Sequence, residues 1–308
     1  METIILGRSG LRATVAGLGC GGFSRIGVGK FGLDHAAGIV RAAYDSGVNF
    51  FDTATAYGTQ AAVGKGLEGI SRDRYILSTK FPYRNKTAAD LGAALEESLR
   101  ELKTDYIDIY HLHGVAPADY PEVRDTFVPL MEKAKREGKI RHLGITEVFG
   151  LDTGHAMFQL ALPDDIFDVI MSGYNILNPS AAKRVLPAAI EHNVGVLCMF
   201  AVRQALHDPA QLKKDIAKIL ENGQADPALV KDEGVLDFLV ESGAAGSVVE
   251  AAYRFCRHTP GIGVVLTGTG NADHLRENTD SIQKGPLPSG ILEKLEALFG
   301  GVDCVSGQ

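Results

Sequence analysis

The most constraining feature of the sequence is a regular alternation of short apolar runs with helical patterns. The apolar runs are rich in β-branched residues and nearly continuous, as expected for strands that are covered on both faces. Strands and helices that alternate in this way build either a parallel barrel or a doubly wound sheet. The predicted strands cover residues 14–18, 49–51, 75–79, 107–112, 142–145, 169–172, 195–200 and 263–267.

Helical patterns fill the intervals between these strands. In residues 87–102, Thr87 and Asp90 have the spacing of a capping box, and leucines from Leu91 onward form one apolar stripe. Pro187 is expected to kink or break another of the helices. Besides 87–102, the predicted helices lie near residues 34–46, 61–68, 121–137, 153–160, 180–192, 248–258 and 271–283.

Three further segments lie outside this alternation. Residues 3–6 and 11–13, separated by glycines, predict an N-terminal β-hairpin. An irregular segment, about residues 201–246, follows the seventh strand, and its place after a strand makes it a candidate active-site loop. It contains a helical pattern near residues 229–242, and a last amphipathic pattern ending at Phe299 predicts a terminal helix. A barrel with such additions accommodates residues 1–308 as a single domain.

Composition narrows the possible function classes. The net charge of −7 argues against a nucleic-acid-binding surface, which needs clustered Lys and Arg. The longest apolar run, residues 194–202, is about half of a membrane span, and the first residues do not resemble a signal peptide. No C-x-x-C pair occurs among the cysteines, which are Cys20, Cys198, Cys256 and Cys304. We therefore expect free thiols and a cytoplasmic location.

Three titratable residues end successive predicted strands. Asp52 follows the second strand, Lys80 the third and His113 the fourth, and Tyr57 lies one turn beyond Asp52. A parallel barrel carries its working residues at these carboxyl ends. We expect Lys80 to favour the phenolate and to lower the pKa of Tyr57 from about 10, while Asp52 keeps Lys80 charged. His113 is placed to donate a hydrogen bond to a carbonyl oxygen or to relay a proton.

A series of short motifs, in chain order, strongly resembles the aldo-keto reductase family. The motifs are FDTATAYG (51–58), STK (78–80), YIDIYHLH (106–113), GIT (144–146), YNILN (174–178), GTGN (268–271) and LREN (275–278). The most specific part is Asp52 with Tyr57 and Gly58, followed by Lys80 and His113. The resemblance covers nearly the whole chain.

The resemblance implies a fold and an activity. It implies an α/β protein, a (β/α)8 TIM barrel, here with the N-terminal β-hairpin and extra C-terminal helices. The activity that the resemblance implies is that of an oxidoreductase, which interconverts a carbonyl (aldehyde, ketone or sugar) and an alcohol. The cofactor, NADP or NAD, would be bound across the mouth of the barrel. Tyr57 would be the general acid/base, tuned by Lys80 and Asp52, and His113 would orient the carbonyl. No metal is required, because Tyr57 and His113 meet the charge that develops on oxygen.

The resemblance also implies a cofactor site, in which this chain departs from the family pattern. Members commonly carry Ser-Asn to hold the nicotinamide amide, and this chain has Thr146-Glu147 at that place. An ionised carboxylate only accepts hydrogen bonds, whereas the amide of Asn also donates them. Met171 stands where members usually have Gln, and Met199 where an aromatic ring often stacks on the nicotinamide. The implied cofactor-binding residues are Gly21, Gly22, Thr146, Glu147, Met171, Tyr174, Phe200, Arg203, Gly268, Thr269, Gly270, Asn271, His274, Glu277 and Asn278.

The segment that would meet the adenosine phosphate bears on the choice between NAD and NADP. Members that favour NADP typically carry Lys or Arg near Gly268 or Gly270, and Arg at the position of His274. This sequence offers only Thr269, Asn271, His274 and the helix N-terminus. A 2′-phosphate is held best by fixed cations, so we expect a relaxed or NAD-leaning preference.

Two motifs suggest other functions. Residues 17–22 (GLGCGG) match G-x-G-x-x-G, but the helix that this dinucleotide fingerprint requires is missing from residues 23–33. His111 and His113 lie on one face of a strand, as in metal-dependent hydrolase barrels, although no other strand end supplies further histidines. Neutral His111 packed against Asp52 or Lys80 is the structural alternative.

Substrate and partners are less constrained. A small-molecule carbonyl or alcohol is the expected partner, and the oligomeric state stays open. Candidate pocket walls are Phe23, Phe81 and Tyr83, and Arg203 is a candidate for either a substrate carboxylate or the cofactor pyrophosphate. A cofactor-binding regulatory subunit without turnover is the alternative to an enzyme.

Overall fold

Parallel strands close into a barrel, which confirms the predicted fold class. The computed structural model describes residues 1–230 and 234–308. Its strands are β1 (Thr3–Ile5), β2 (Arg12–Thr14), β3 (Ala16–Gly19), β4 (Phe50–Asp52), β5 (Ile76–Phe81), β6 (Ile107–Val115), β7 (Ile140–Glu147), β8 (Val169–Gly173), β9 (Gly195–Met199) and β10 (Val264–Thr267). From β3 onward each strand pairs in parallel with the next, and β10 returns to β3, where Val265 pairs with Ala16. Their carboxyl ends therefore share one rim.

Helices cover the outside of the barrel. They are α1 (Val28–Asp45), α2 (Gln60–Gly66), α3 (Ala88–Leu102), α4 (Tyr120–Arg136), α5 (Ala156–Ala161), α6 (Ala181–Arg184), α7 (Leu186–Glu191), α8 (Pro209–Glu221), α9 (Phe238–Glu241), α10 (Val248–Arg257), α11 (Ala272–Gln283) and α12 (Ser289–Phe299). The capping box of α3 is present, and the backbone N of Thr87 donates to Asp90 at 2.7 Å. The expected break at Pro187 separates α6 from α7.

The N-terminal hairpin fills the amino-terminal end of the barrel. Strands β1 and β2 pair antiparallel, with Ile4 opposite Ala13. Leu6, just after β1, is buried against Gly195 and Gly263 at the starts of the last two strands, in the space that a Cβ atom would occupy. The barrel interior above it is filled by Phe50, Ile76, Ile109, Val169, Leu197 and Val264. The opposite rim is thus left to form a site.

The segment after β9 is more ordered than the sequence suggested. Residues 201–246 were expected to be irregular, but they contain the thirteen-residue helix α8, capped by Asp208, whose side chain accepts from the N atom of Ala210 at 2.9 Å. The pattern near residues 229–242 yields only the short α9, and residues 231–233 lie outside the described part of the chain. Ile216 and Ile219 pack with Phe299 of α12 in a second core. The described residues of this segment therefore form a small folded layer that packs on α12.

The segment between β3 and α1 also differs from the expectation. Residues 23–33 were expected to hold no helix, but α1 begins at Val28 and is interrupted at Gly32 (φ 85°, ψ 178°). The helix that continues after this interruption agrees with the predicted helix near residues 34–46. Before α1, Ile26 has φ 49°, which is unusual for a β-branched residue and is maintained by its complete burial.

Two expectations from composition can be compared with the structure. Within the described residues, no helix is long and apolar enough to cross a membrane. Cys20, Cys198 and Cys256 are buried free thiols, and Cys304 is a half-buried one, as the sequence predicted. Burial raises the pKa of Cys20 above its ordinary value, so this thiol stays protonated.

Candidate active site

The four residues singled out at the strand ends lie together at the rim. The Nζ atom of Lys80 on β5 donates to Oδ2 of Asp52 on β4 and to the Thr53 carbonyl oxygen, both at 2.6 Å. Tyr57 lies on the turn after β4, with its ring centre 5.1 Å from the Lys80 Nζ atom. The Tyr57 hydroxyl lies 3.3 Å from Nε2 of His113 on β6. One phenol, one ammonium and one imidazole thus share a small volume.

The pKa of Tyr57 is shifted in the direction opposite to the one that the sequence predicted. Burial raises the pKa of Tyr57, and Lys80 opposes this only in part. Burial alone would lower the pKa of Lys80, but the carboxylate of Asp52 outweighs it, so the ammonium keeps a raised pKa. Tyr57 is therefore a neutral phenol facing a permanent cation. In that state it is a proton donor.

His113 is a neutral imidazole in this environment. Burial, with a smaller contribution from the Lys80 charge, lowers its pKa to about 3. Its ring meets Tyr57 edge to face, with centroids 5.4 Å apart. A neutral imidazole offers one donor and one acceptor nitrogen. His113 can therefore donate a hydrogen bond to an oxygen atom that lies beside the Tyr57 hydroxyl, while the imidazole itself stays uncharged.

Ser78 extends this cluster, and the sequence did not single it out as functional. Its hydroxyl donates to Oδ1 of Asp52 at 2.7 Å and lies 3.0 Å from Nε2 of His111. Because the hydroxyl has one proton, Nε2 of His111 must be the donor to Ser78. Burial holds the pKa of His111 well below its ordinary value. The sequence signal was the position of Ser78, two residues before Lys80 on the same face of a strand.

The pair His111 and His113 is not arranged as two ligands of one ion. His111 is bonded to Ser78 inside the barrel, whereas His113 faces the Tyr57 hydroxyl at the rim. In residues 1–230 and 234–308, no three His, Cys, Asp or Glu side chains are grouped closely enough to hold a metal. His111 packs through Ser78 against Asp52, which is close to the structural alternative stated for this histidine.

A groove of about 750 Å³ leads from these residues across the rim. It begins at Asp52 and Tyr57, passes the loop after β9, and reaches the loop after β10 and the side of α11. Of the implied cofactor residues, those that line it are Gly21, Gly22, Met171, Phe200, Arg203, Gly268, Thr269, His274, Glu277 and Asn278. The groove therefore joins the proton donor Tyr57 to residues of the loop after β10 and of α11.

Other residues of the predicted cofactor set lie outside the groove lining. Thr146 and Glu147 are buried, and Tyr174 is buried with its ring stacked on Phe255 at 5.3 Å. Gly270 packs against Gly27 of the first loop. Asn271 caps α11, and its Oδ1 atom accepts from the N atoms of Asp273 and His274. Gly270 and Asn271 therefore shape the loop that borders the groove.

Glu147 turns away from the groove. Its carboxylate accepts from the N atom of Gly173 at 2.7 Å and lies 2.9 Å from Nδ1 of His155. The His155 ring stacks on Phe149, with centroids 5.3 Å apart, and Nε2 lies 3.0 Å from the Ser180 hydroxyl. Burial raises the pKa of Glu147, and His155 opposes it. The carboxylate is thus part of a closed polar cluster.

Arg203 crosses the middle of the groove. Its guanidinium stacks on the Phe200 ring at 3.9 Å and approaches Phe23 at 5.5 Å. Phe200 has φ 67°, a strained value for a residue with a side chain. The Nε atom of Arg203 is buried without a partner in the described chain, and burial lowers the pKa of the guanidinium to about 10. A half-buried cation of this kind is suited to an oxyanion.

The Aldo/keto reductase family model matches residues 17–298. The chain belongs to this family. It is 28% identical to L-galactose dehydrogenase of Arabidopsis thaliana, over 92% of this chain and 88% of that protein. It is 26% identical to D-threo-aldose 1-dehydrogenase of a Pseudomonas species, over 59% and 64%. Membership and these relatives support an oxidoreductase that uses NAD(P) to interconvert carbonyls and alcohols.

Solved aldo-keto reductases share the fold. The holo form of an aldo-keto reductase from Bacillus halodurans matches with a TM-score of 0.73 at 25% identity, over 99% of this chain and 98% of that one. An aldo/keto reductase from Klebsiella pneumoniae, solved with NADP and acetate, matches with a TM-score of 0.68 at 24% identity, over 99% and 97%. The match to the Klebsiella pneumoniae protein shows a shared fold alone.

The first and last loops of this aldo-keto reductase touch at the far end of the groove. Nε2 of His35, on α1, lies 2.7 Å from the Gly270 carbonyl oxygen. A Cβ atom on Gly270 would lie 2.8 Å from the N atom of Gly27, so the glycine is required for this close approach. The groove therefore crosses the junction between β3 and β10.

The predicted pocket walls are only partly confirmed. Phe23 lines the groove and is 79% exposed. Phe81 is buried against Phe127 with ring centroids 5.2 Å apart, and Tyr83 is buried and donates to Asp119 at 2.6 Å. Phe81 and Tyr83 are outer-core residues of the barrel. Of the three predicted aromatic walls, Phe23 is therefore the one that lines the groove.

Proposed function

We propose that this aldo-keto reductase interconverts a small carbonyl compound and its alcohol, with Tyr57 as general acid in reduction and general base in oxidation. The observation that carries this proposal is the Tyr57 hydroxyl beside neutral His113 and the Lys80–Asp52 pair, at the head of the groove. The names of the two dehydrogenases that resemble this chain favour a sugar or aldose as substrate.

The proposed mechanism divides the work among four side chains. A nicotinamide cofactor, when bound, supplies the hydride that goes to the carbonyl carbon. Tyr57 gives its proton to the carbonyl oxygen, so the product alcohol gains one hydride and one proton. His113 donates a hydrogen bond to the same oxygen, and Lys80 stabilises the phenolate that Tyr57 leaves behind. Asp52 keeps Lys80 charged and in place.

The groove fits the charge of a dinucleotide. Among the described residues that line it, Arg203 is the only lysine or arginine. Its unpaired, buried Nε atom matches a pyrophosphate, which would otherwise meet no fixed cation there. The amino-terminal end of α11, after Gly268 and Thr269, adds backbone donors beside the adenosine end. We assign Arg203 and this end of α11 to the cofactor.

We further propose a relaxed or NAD-leaning cofactor preference. The adenosine end of the groove is lined by Thr269, His274 and Glu277. The carboxylate of Glu277 would repel a 2′-phosphate. Arg276 on α11 is exposed and paired with Asp273 at 2.9 Å. Fluorescence titration with NADPH and NADH tests this, because comparable dissociation constants support it and a preference for NADPH of about a hundredfold contradicts it.

A Tyr57→Phe variant tests the enzymatic proposal. Turnover should fall by about 10²- to 10⁴-fold, since the general acid is lost, while dinucleotide affinity is retained. Steady-state kinetics and fluorescence titration measure the two quantities on one preparation. Dinucleotide binding by wild-type protein without turnover of any carbonyl or alcohol would instead support a cofactor-binding regulatory subunit.

We propose that residues 1–308 form one domain, since Leu6 of the hairpin segment packs inside the barrel end and α12 shares a core with α8. The cytoplasmic location stays a prediction from the free thiols.

A further inference from the structure

Two thioether side chains form the strand-end lining of the groove opposite Asp52. Met171 on β8 and Met199 on β9 both line it, and their strands pair directly, Met171 with Leu197 and Gly173 with Met199. A thioether is a soft apolar group and only a weak hydrogen-bond acceptor. This side of the groove therefore offers a polarisable surface with no strong donor or acceptor from either side chain.

The polar side chains at the end of β7 are engaged elsewhere. Thr146 Oγ1 accepts from the N atom of Gly114 at 2.7 Å, inside the barrel wall. The Glu147 carboxylate is held by Gly173 and His155, and the Phe149 ring fills the space over Gly173. To reach the groove, Glu147 would have to leave Gly173, His155 and the Ser172 hydroxyl, which donates to it at 3.2 Å. Thr146 and Glu147 are both buried, and neither is among the residues that line the groove.

The remaining polar strand-end side chains along the groove also have partners. Asp52 accepts from Lys80 and Ser78. The Thr267 hydroxyl lies 2.9 Å from both the Tyr253 hydroxyl and Nδ2 of Asn278. In the loop after β9, Nε2 of Gln204 donates to Asp208 at 3.2 Å. The two amide side chains of the described lining, Gln204 and Asn278, each donate to a protein partner and lie outside the strand ends that carry Met171 and Met199.

We propose that the groove does not select the carboxamide group at position 3 of the pyridine ring. This inference rests on the proposed function: the hydride goes to the carbon whose oxygen Tyr57 protonates, so the pyridine ring has to lie in the part of the groove that Tyr57 and Met171 line. The ligand class then extends to pyridine dinucleotides whose 3-substituent is an acetyl group or a thioamide. An apolar pocket rejects a near-isostere weakly, whereas a pocket built to hydrogen-bond a substituent rejects its absence strongly.

Calorimetric titration of the full-length protein with NAD⁺ and its 3-acetylpyridine analogue tests the proposal. We expect dissociation constants within about threefold of each other, since no paired amide contact is lost. A preference for NAD⁺ of about thirtyfold or more would overturn it. If neither dinucleotide binds to folded protein, the proposed function itself fails, whereas binding of NAD⁺ with strong rejection of the analogue overturns this inference alone.

A Met171→Gln variant tests the same proposal in the opposite direction, because it should create a preference for NAD⁺ that the wild-type protein lacks. Gln is close to Met in length and adds an amide at a position that lines the groove, so the variant should prefer NAD⁺ over the acetyl analogue by about fivefold or more. The apolar control Met171→Leu should keep the ratio near that of wild type. A Gln variant with an unchanged ratio would show that this position does not face the ring substituent and would overturn the assignment.

Discussion

The Nζ atom of Lys80 lies 2.6 Å from Oδ2 of Asp52, and both side chains are closed off from solvent. A buried ion pair is costly to break from one side, because the remaining charge loses its partner without regaining water. Asp52→Asn should therefore lower the free energy of unfolding by about 3–5 kcal/mol, and Asp52→Asn with Lys80→Met should recover part of that loss. Urea denaturation measures both variants.

The exposed pair of Lys103 and Glu68, at 3.4 Å, provides the control for this prediction. Glu68→Gln should change the free energy of unfolding by about 1 kcal/mol or less, because solvent screens the pair. If the single Asp52 variant is no less stable than Glu68→Gln, the pair does not carry the buried charge that the structure assigns to it.

Ser78 should affect catalysis through Asp52. Ser78→Ala removes the donor to Oδ1 of Asp52, and a lost hydrogen bond to a charged group corresponds to about a tenfold fall in kcat/KM. Dinucleotide affinity should stay unchanged. Because His111 acts through Ser78, adding His111→Leu to Ser78→Ala should cause little further loss. Fully additive losses would show that His111 has an independent role.

The buried histidines predict a loss of stability in acid. Burial holds the pKa of His113 at about 3, below the value of 6.5 in an unfolded chain, so unfolding takes up a proton. The stabilisation is complete above pH 6.5 and decreases as the pH falls towards 3, by up to about 1.4 kcal/mol for each pH unit. Urea denaturation between pH 7 and pH 5 should show a smaller loss for His113→Gln than for wild type. The exposed His207 gives the control, since His207→Gln should leave the wild-type loss intact.

Arg203 should set the affinity for the dinucleotide. Arg203→Met should raise the dissociation constant by about 10- to 100-fold, the value of a hydrogen bond to a charged group. The dissociation constant of Arg203→Lys should lie between those of wild type and Arg203→Met, because lysine keeps the charge but lacks the planar guanidinium fork. Fluorescence titration at two salt concentrations measures this, and Arg276→Met, at an exposed paired arginine, is the control. Equal affinities for Arg203→Met and wild type would remove Arg203 from the cofactor site.

Much of the site could be predicted because it depends on local patterns. The alternation of strands placed Asp52, Lys80 and His113 at neighbouring strand ends, and a closed parallel barrel brings such ends together. The orientation of Glu147 could not be predicted in this way. It depends on His155, on a different segment, which reaches back to the carboxylate at 2.9 Å.

The pKa of Tyr57 and the helix α8 were missed for different reasons. The sequence shows that a cation lies near Tyr57 but not how deeply the phenol is buried, and burial decides the direction of the shift. For α8 the signal was present: Asp208 and Pro209 form a cap and a first turn, and Leu212, Ile216 and Ile219 follow at helical spacing. Here the neighbouring loop pattern concealed an ordinary helix.

The pairing of Ala16 with Val265 also bears on how the chain folds. These residues lie near opposite ends of the sequence, so the barrel can close only after nearly the whole chain has been ordered, and joining ends so far apart carries an entropic cost. Gly19 and Gly268, on the two sides of this junction, both line the groove. A dinucleotide bound there would contact both sides of this seam, so its binding free energy would add to the stability of the closed barrel.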